Sequence, residues 1–409
     1  MAGPRPPRAD DDVWASRRRH PTARPVPPPR RSKTFVALLA VIVTLNLLGL
    51  VMVLSASSVS SLDTYGSSWY VVMRQAIWMA LGVVGCVMVM RVDYHRWRRM
   101  ALPALVGSGV LLTLVLVPGL GTSANGATRW LGYGPVTVQP SELAKLAVLL
   151  FVADLLARRA AWMTDARVTL VPVLVVYGGA ACLLMLQPNL GTTLVLGAIV
   201  VSVLYVAGTP LLPLAGLSVL GGLAATVLAF AAPYRRARVM AFLDPWKDYQ
   251  DTGYQTIQSL VGIASGGITG TGLGQSRAKW GFLPYAHTDF IFAIIGEELG
   301  LVGALVVVSL FVAFCVLGAR AALMAPDRFG MLLAAGVTSW FGVQAFVNIG
   351  AVIGILPITG VPLPFVSYGG TSLVINLVAA GLLLNVARQA QLPSRRRAAP
   401  ARRAPVPAR

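Results

Sequence analysis

The stretch Pro284-Tyr-Ala-His-Thr-Asp-Phe-Ile-Phe-Ala-Ile-Ile-Gly-Glu-Glu-Leu-Gly300 puts Asp289 at the mouth of an apolar run that continues from Leu301 to Leu317, with Glu297 and Glu298 two turns deeper. A charge at the centre of a membrane helix costs about 2.5–3.5 kcal/mol on insertion scales, and less near the interface, so these acids need a reason to be there. One reason is structural: Thr288 or Asp289 would cap free N–H groups at the helix start. The other is chemical. Capping alone does not account for the polar segments elsewhere that meet this one.

Working outward, the chain is 56% apolar and 12% charged, with a mean hydropathy of +0.71. That composition excludes a soluble globular protein and indicates a polytopic membrane protein. The net charge of +19 raises nucleic acid as a partner, but the basic residues sit mainly in two tails and in short loops between apolar runs. That placement is a topology pattern and argues for no nucleic acid. Cys86, Cys182 and Cys315 lie inside apolar runs with no metal or disulfide spacing, as packing residues do.

At about 20 residues per crossing, ten transmembrane helices are expected, over 35–56, 69–90, 101–118, 142–157, 168–186, 190–207, 211–232, 289–318, 330–354 and 365–387. The expected fold class is therefore all-α. With both termini cytoplasmic, 25 of the 34 Lys and Arg fall on the inner side, as the positive-inside rule requires. Residues 1–34 and 391–409 are basic, rich in Pro or Arg, and expected to be disordered cytoplasmic tails near membrane lipids. The membrane domain is 35–390. Its segment 233–288, between helices 7 and 8, is a large extracytoplasmic loop, too long for a mere connection.

Four extracytoplasmic segments carry unusual residues. The first runs from Asn125 through Arg129 and Trp130 to Gln139-Pro-Ser141-Glu142-Leu-Ala-Lys145. Glu142 and Lys145, at i and i+3, share a helical face, either as a structural ion pair or as a substrate-facing one. The second, Gln187-Pro188-Asn189, is a tight turn with a conformational explanation of its own. The third begins at Tyr234–Phe242, where Arg235, Arg236 and Arg238 mix with apolar residues as on an interfacial helix. These arginines would serve phosphate contact or snorkelling equally well. The fourth, Gly360 to Ser372, has Pro362 and Pro364 followed by Ser367-Tyr368-Gly369-Gly370, either a turn before a helix or a broken approach whose N-terminus meets an anion.

Together these segments resemble the SEDS family of bacterial cell-wall polymerases, FtsW and RodA, over most of 35–390. The resemblance rests on Asn125–Trp130, Gln139–Lys145, Gln255–Leu260, Leu283–Gly300 and Pro362–Gly370. Asp244-Pro245-Trp246 and Gly272–Ser276 look more like the division branch, FtsW, and the basic tails are similar to actinobacterial ones. The resemblance implies a peptidoglycan glycosyltransferase that polymerises lipid II into β-1,4 glycan strands at the outer face of the cytoplasmic membrane, at the division septum. It implies as partners a class B penicillin-binding protein, an FtsI-type transpeptidase, and other divisome membrane proteins. Asp289 matches the family's essential aspartate, and Glu142 and Lys145 its paired charges. Gly281 and Tyr285 stand where many relatives have acids, and Asn189 where Asp is usual, which leaves Asp289 the more isolated acid.

A sugar hydroxyl is a poor nucleophile, so Asp289 is the expected catalytic base. The departing pyrophosphate needs cations, for which Lys145, Arg129, Arg235 and Lys279 are candidates. His287, Thr288, Ser141, Gln139, Asn125, Trp130, Ser367, Tyr368 and Gly369 complete the expected substrate-binding set. A divalent cation, Mg or Mn, could bridge Asp289 and the pyrophosphate, although no dense acidic motif calls for one. Two other classes compete: a lipid II flippase using Glu142, Lys145 and Glu297 as midplane charges, and a non-catalytic divisome scaffold.

Overall fold

The structure, a computed structural model, describes residues 33–390 except 125, 126, 134, 135, 163, 164 and 252. The expected disordered tails thus lie outside the described residues, apart from the ends nearest the first and last helices. Among the described residues the elements are α1 (Lys33–Tyr65), α2 (Tyr70–Arg91), α3 (Trp97–Val115), β1 (Gly121–Ala124), β2 (Ala127–Tyr133), β3 (Val136–Val138), α4 (Pro140–Arg158), α5 (Ala166–Leu186), α6 (Leu190–Ala207), α7 (Leu211–Phe230), α8 (Pro233–Leu243), α9 (Tyr254–Gly266), α10 (Ile291–Leu323), α11 (Arg328–Val352) and α12 (Gly370–Gln389), with short 3-10 turns between.

Nine of these helices are long and apolar enough to cross a membrane: α1 to α3, α5 to α7 and α10 to α12. The remaining expected span, α4, has 19 residues, about 28 Å at 1.5 Å per residue. It carries four charges, and each has a partner. Lys145 pairs with Glu142 at 2.9 Å, and Asp154 pairs with Arg98 and Arg158 at 2.7 Å each. That neutralisation lets so polar a helix lie in the middle of the bundle. α1 extends past its expected end through a serine-rich stretch whose Ser57, Ser58 and Ser60 satisfy their hydroxyls on helix carbonyls and so need no other partner there. α12 starts later than expected because the proline-containing segment before it does not continue a helix.

The all-α reading has one small exception. The connection between α3 and α4 is an antiparallel sheet in the order β1-β2-β3, with Thr122 opposite Trp130 and Leu131 opposite Val138. It is tied to the start of α12 by Thr371 Oγ1, which donates to Thr137 O at 2.9 Å.

The most buried helices are α4, α11 and α12. Their centre is an aromatic cluster in which Phe341 packs on Phe314 and Phe365, with ring centroids 5.4 and 4.8 Å apart. α2 and α12 approach closely: a Cβ on Gly82 would come within 2.5 Å of the Leu377 side chain, and one on Gly381 within 2.8 Å of Cys86 O. Small residues at a seam permit such contact. By contrast α7 buries only Leu214, and its exposed Leu212, Val219 and Val227 present the apolar surface that lipid covers.

The 33-residue α10 is interrupted at Gly300, where φ is +67° and ψ −168°. The break falls about ten residues, or roughly 15 Å, along the helix, near half of the hydrocarbon thickness. Backbone groups freed at that depth must be satisfied within the protein, and the loop after α9 does this. Thr271 and Gly272 N–H donate to the carbonyls of Glu297 and Glu298 at 2.9 and 3.0 Å, while Leu301 and Val302 N–H donate to Gly267 and Ile268 O at 3.0 and 3.2 Å. The segment after α9 is therefore stitched into the break.

The two carboxylates secure the same segment. Glu297 accepts from Ser276 Oγ at 2.5 Å and Arg277 N at 2.7 Å. Glu298 accepts from Ser55 Oγ at 2.6 Å and Ser276 N at 3.3 Å. Glu297 is therefore an anchor for the returning chain. The transport reading had placed it in a pathway.

Candidate active site

Two amides on an otherwise apolar helix organise the site. Gln344 and Asn348 lie one turn apart on α11, 0% and 2% exposed. Gln344 Oε1 accepts from Lys145 Nζ at 2.9 Å and Trp340 Nε1 at 2.8 Å, and its Nε2 donates to Pro362 O at 2.9 Å. One turn on, Asn348 Nδ2 donates to Val361 O at 2.9 Å and to Asp289 O at 2.7 Å. A single face of α11 thus links the Glu142–Lys145 pair, the Gly360–Pro364 segment and the stretch bearing Asp289.

Other contacts close the set. Ser367 Oγ donates to Thr288 O at 2.6 Å and accepts from Leu363 N at 2.8 Å. Tyr368 N donates to His287 O at 2.9 Å, and the two rings meet edge to face with centroids 5.6 Å apart. Gln75 on α2 donates to Ser367 O and accepts from Gly369 N. Ser372 Oγ donates to Glu142 Oε2 at 3.1 Å.

Asp289 precedes α10 and does not cap it: the N-cap is Phe290, and no side chain caps the helix. The capping explanation therefore fails. The carboxylate lies at a narrow crevice lined by Phe290, Asn348, Thr359 and Gly360 among others. Gly360 stands against it, at φ +70°, and a Cβ there would lie 3.6 Å from Asp289 Oδ2. Desolvation raises the carboxyl to about 6, against the opposing pull of Arg238 and then Arg129.

Arg129, on β2, donates to Gln187 O at 3.3 Å and to Pro188 O. Tyr234 on α8 donates to the same Pro188 carbonyl at 3.0 Å. The turn expected to be purely conformational is thus where the sheet and α8 meet, and from those two elements Arg129 and Arg238 act on Asp289 through their charge, without an ion pair among the described residues. On the same helix as Arg238, Arg235 stacks its guanidinium over the Tyr234 ring at 5.7 Å. Its Nε and Nη1 are buried with no hydrogen-bond partner among the described residues.

Not every expected residue takes the expected place. Glu142 and Lys145 do share a face, but both are about 2% exposed and Lys145 faces Glu142, Gln344 and, at 4.8 Å, the Trp340 ring. Lys145 is a buried strut here, and the cations acting on Asp289 are Arg238 and Arg129. Lys279 is likewise turned away, donating to Gly274 O with Glu298 at 3.9 Å. Ser141 is fully buried beside the pair, Gln139 supplies the N-cap position of α4 without a side-chain cap, and Trp130 sits in the sheet. Asn125 lies outside the described residues. Asn189 caps α6, accepting from Thr192 N, a role in which Asn serves as well as Asp.

Sequence reasoning passed over Gln344 and Asn348 as site residues, and left Arg238 between phosphate contact and snorkelling. A sign of the two amides was present: polar residues at i and i+4 inside an apolar run share one face and must have buried partners. Arg238, four residues after Tyr234, is placed by the same spacing.

The family model described as "Cell cycle protein" (FtsW, RodA, SpoVE) matches residues 36–392. The chain belongs to that family. A protein named "Probable peptidoglycan glycosyltransferase FtsW" from Geobacter metallireducens is 42% identical over 86% of this chain and 94% of its own length. Its namesake from Mycobacterium tuberculosis is 44% identical over 88% of this chain and 68% of its own. A solved structure described as "Structural coordination of polymerization and crosslinking by a peptidoglycan synthase complex" superposes with a TM-score of 0.71 at 32% identity, covering 86% of this chain and 96% of the other. The family and the long apolar helices together make this an integral membrane protein.

Proposed function

We propose that this member of the FtsW, RodA and SpoVE family is a peptidoglycan glycosyltransferase that polymerises lipid II, with Asp289 as its general base. The observation that carries this reading is a desolvated, uncapped carboxylate raised to about 6, with Arg129 and Arg238 acting on it. A base with that pKa is mostly ionised at neutral pH yet a better proton acceptor than an ordinary carboxylate.

In the reaction, the 4-hydroxyl of the acceptor sugar attacks the anomeric carbon of the lipid-linked donor. The C1–O4 bond forms, the bond from C1 to the pyrophosphate oxygen breaks, and the hydroxyl proton passes to Asp289. Negative charge grows on the leaving pyrophosphate, where preorganised cations are worth most. Arg238, Arg129 and the unpartnered donors of Arg235 are the groups suited to receive it. Among the described residues no cluster of three or more His, Cys, Asp or Glu is placed to hold a metal. A divalent cation taking part would draw most of its ligands from the pyrophosphate.

The Lys and Arg distribution supports ten crossings with cytoplasmic termini and the site on the outer face, the fourth crossing being α4. The name of the superposed complex, which couples polymerisation with crosslinking, supports a class B penicillin-binding protein as working partner. The likeness to FtsW proteins supports action at the septum with other divisome membrane proteins.

The test is incubation of the purified protein with lipid II, alone and with its transpeptidase partner, followed by gel separation of glycans. Ladders of growing strands support polymerisation. Movement of lipid II across proteoliposome membranes with no strands formed would overturn it in favour of transport.

A further inference from the structure

Asn348 has a side-chain oxygen with nothing to do. The residue is 2% exposed, and its amide nitrogen is committed to two carbonyls, Asp289 O at 2.7 Å and Val361 O at 2.9 Å. Those acceptors fix the amide's orientation, because a flip would set its oxygen against two carbonyl oxygens. Oδ1 is then a buried acceptor with no partner among the described residues. Leaving such an atom unpaired is costly, and in native proteins it calls for an explanation.

The surroundings supply one. Asn348 lines the same crevice as Asp289, whose other walls include the apolar Phe290, Val352 and Ile358. The crevice holds about 10 Å³, room for one water-sized group and too little for a sugar ring. One hydroxyl fits; the ring and its other oxygens must remain at the mouth.

We infer that Asn348 is a substrate-contacting residue whose Oδ1 accepts a hydrogen bond from the 3-hydroxyl of the acceptor sugar, next to the 4-hydroxyl that Asp289 deprotonates. The inference rests on the reading of Asp289 as base. On a glucosamine-type ring the 3- and 4-hydroxyls sit on adjacent carbons, both equatorial, so one can meet the amide oxygen while the other meets the carboxylate. The amide does not titrate, so this contact orients the acceptor at every pH at which the base works. It also selects: a sugar without a donor at carbon 3 leaves Oδ1 unpaired, the kind of mismatch by which buried polar sites reject close analogues.

The test compares acceptors bearing a normal or a 3-deoxy terminal amino sugar, with lipid II as donor, in wild type, Asn348→Ala, Phe346→Ala and Asp289→Asn. Wild type is expected to extend the 3-deoxy acceptor at least tenfold more slowly in kcat/KM. Asn348→Ala should extend both acceptors at rates within about twofold of each other. Phe346→Ala, on the same helix but 65% exposed and away from the crevice, should keep the tenfold preference.

Equal use of both acceptors by wild type overturns the proposal, as does an undiminished preference in Asn348→Ala. The wild-type comparison holds even if a variant fails to fold. Full activity of Asp289→Asn with the preference still lost in Asn348→Ala would instead remove the base and leave the contact standing.

Discussion

Lys145 Nζ lies 2.9 Å from Glu142 Oε1 in a site where both side chains are about 2% exposed. Two opposite charges so deeply buried are tolerable only together, since either alone is an uncompensated ion in a low dielectric. Lys145→Met or Glu142→Gln should each destabilise the protein by about 3–5 kcal/mol, seen as a lower midpoint of thermal unfolding in detergent. The double variant should recover at least half of that loss. A double variant as unstable as the sum of the two would show that the charges act independently.

The break at Gly300 makes a sharper structural prediction. At φ +67° a Cβ is strained, and here it would also lie 2.3 Å from Gly270 N and 2.5 Å from Ile268 O. Both neighbours are backbone, so neither can swing aside. Gly300→Ala should therefore expel the loop after α9, exposing residues 267–278 to protease in membranes where wild type resists. Wild-type resistance in the variant would mean the stitched arrangement is not what holds α9 in place.

The pH dependence of the reaction follows from Asp289. A base must be ionised to act, so with a carboxyl at about 6 the rate should rise with pH through that value and level off above 7. At pH 5 only about a tenth of the protein would carry the ionised base, giving about a tenfold loss from the plateau. Arg238 pulls the carboxyl down, so Arg238→Gln should move the rising limb to higher pH as well as lower the plateau. A limb that stays put in Arg238→Gln would separate the two residues.

Much of the fold was legible because apolar runs of membrane length have one structural outcome. The boundaries of α5, α6 and α7 and the helix Pro233–Leu243 followed from pattern and charge. α9 was not read as a helix seated against the break in α10. Its 13 residues are too short to register as a crossing, and the glycines that stitch it into α10 look like an ordinary loop until their partner is known. The site was half legible. Asp289 stood out because a carboxylate beside an apolar run is costly. Glu142 and Lys145 stood out for the same reason, but spacing could not say that the pair is sealed by Gln344 and Ser372. Arg238 was legible only as a cation without a target and Asn348 not at all, because their meaning is entirely tertiary. One gains it when the Gln187–Asn189 turn gathers Arg129 and Tyr234, the other when Val361 and Asp289 arrive at the same amide.

The most direct test of the account is the single-turnover rate of lipid II coupling by purified Asp289→Asn, in a preparation whose thermal midpoint matches wild type. Asn keeps the shape and the backbone bond to Asn348 but cannot take the proton. The rate should fall at least a hundredfold, in the range general-base removal commonly costs, and should lose its rise through pH 6. A folded Asp289→Asn protein that couples lipid II at the wild-type rate would contradict the account.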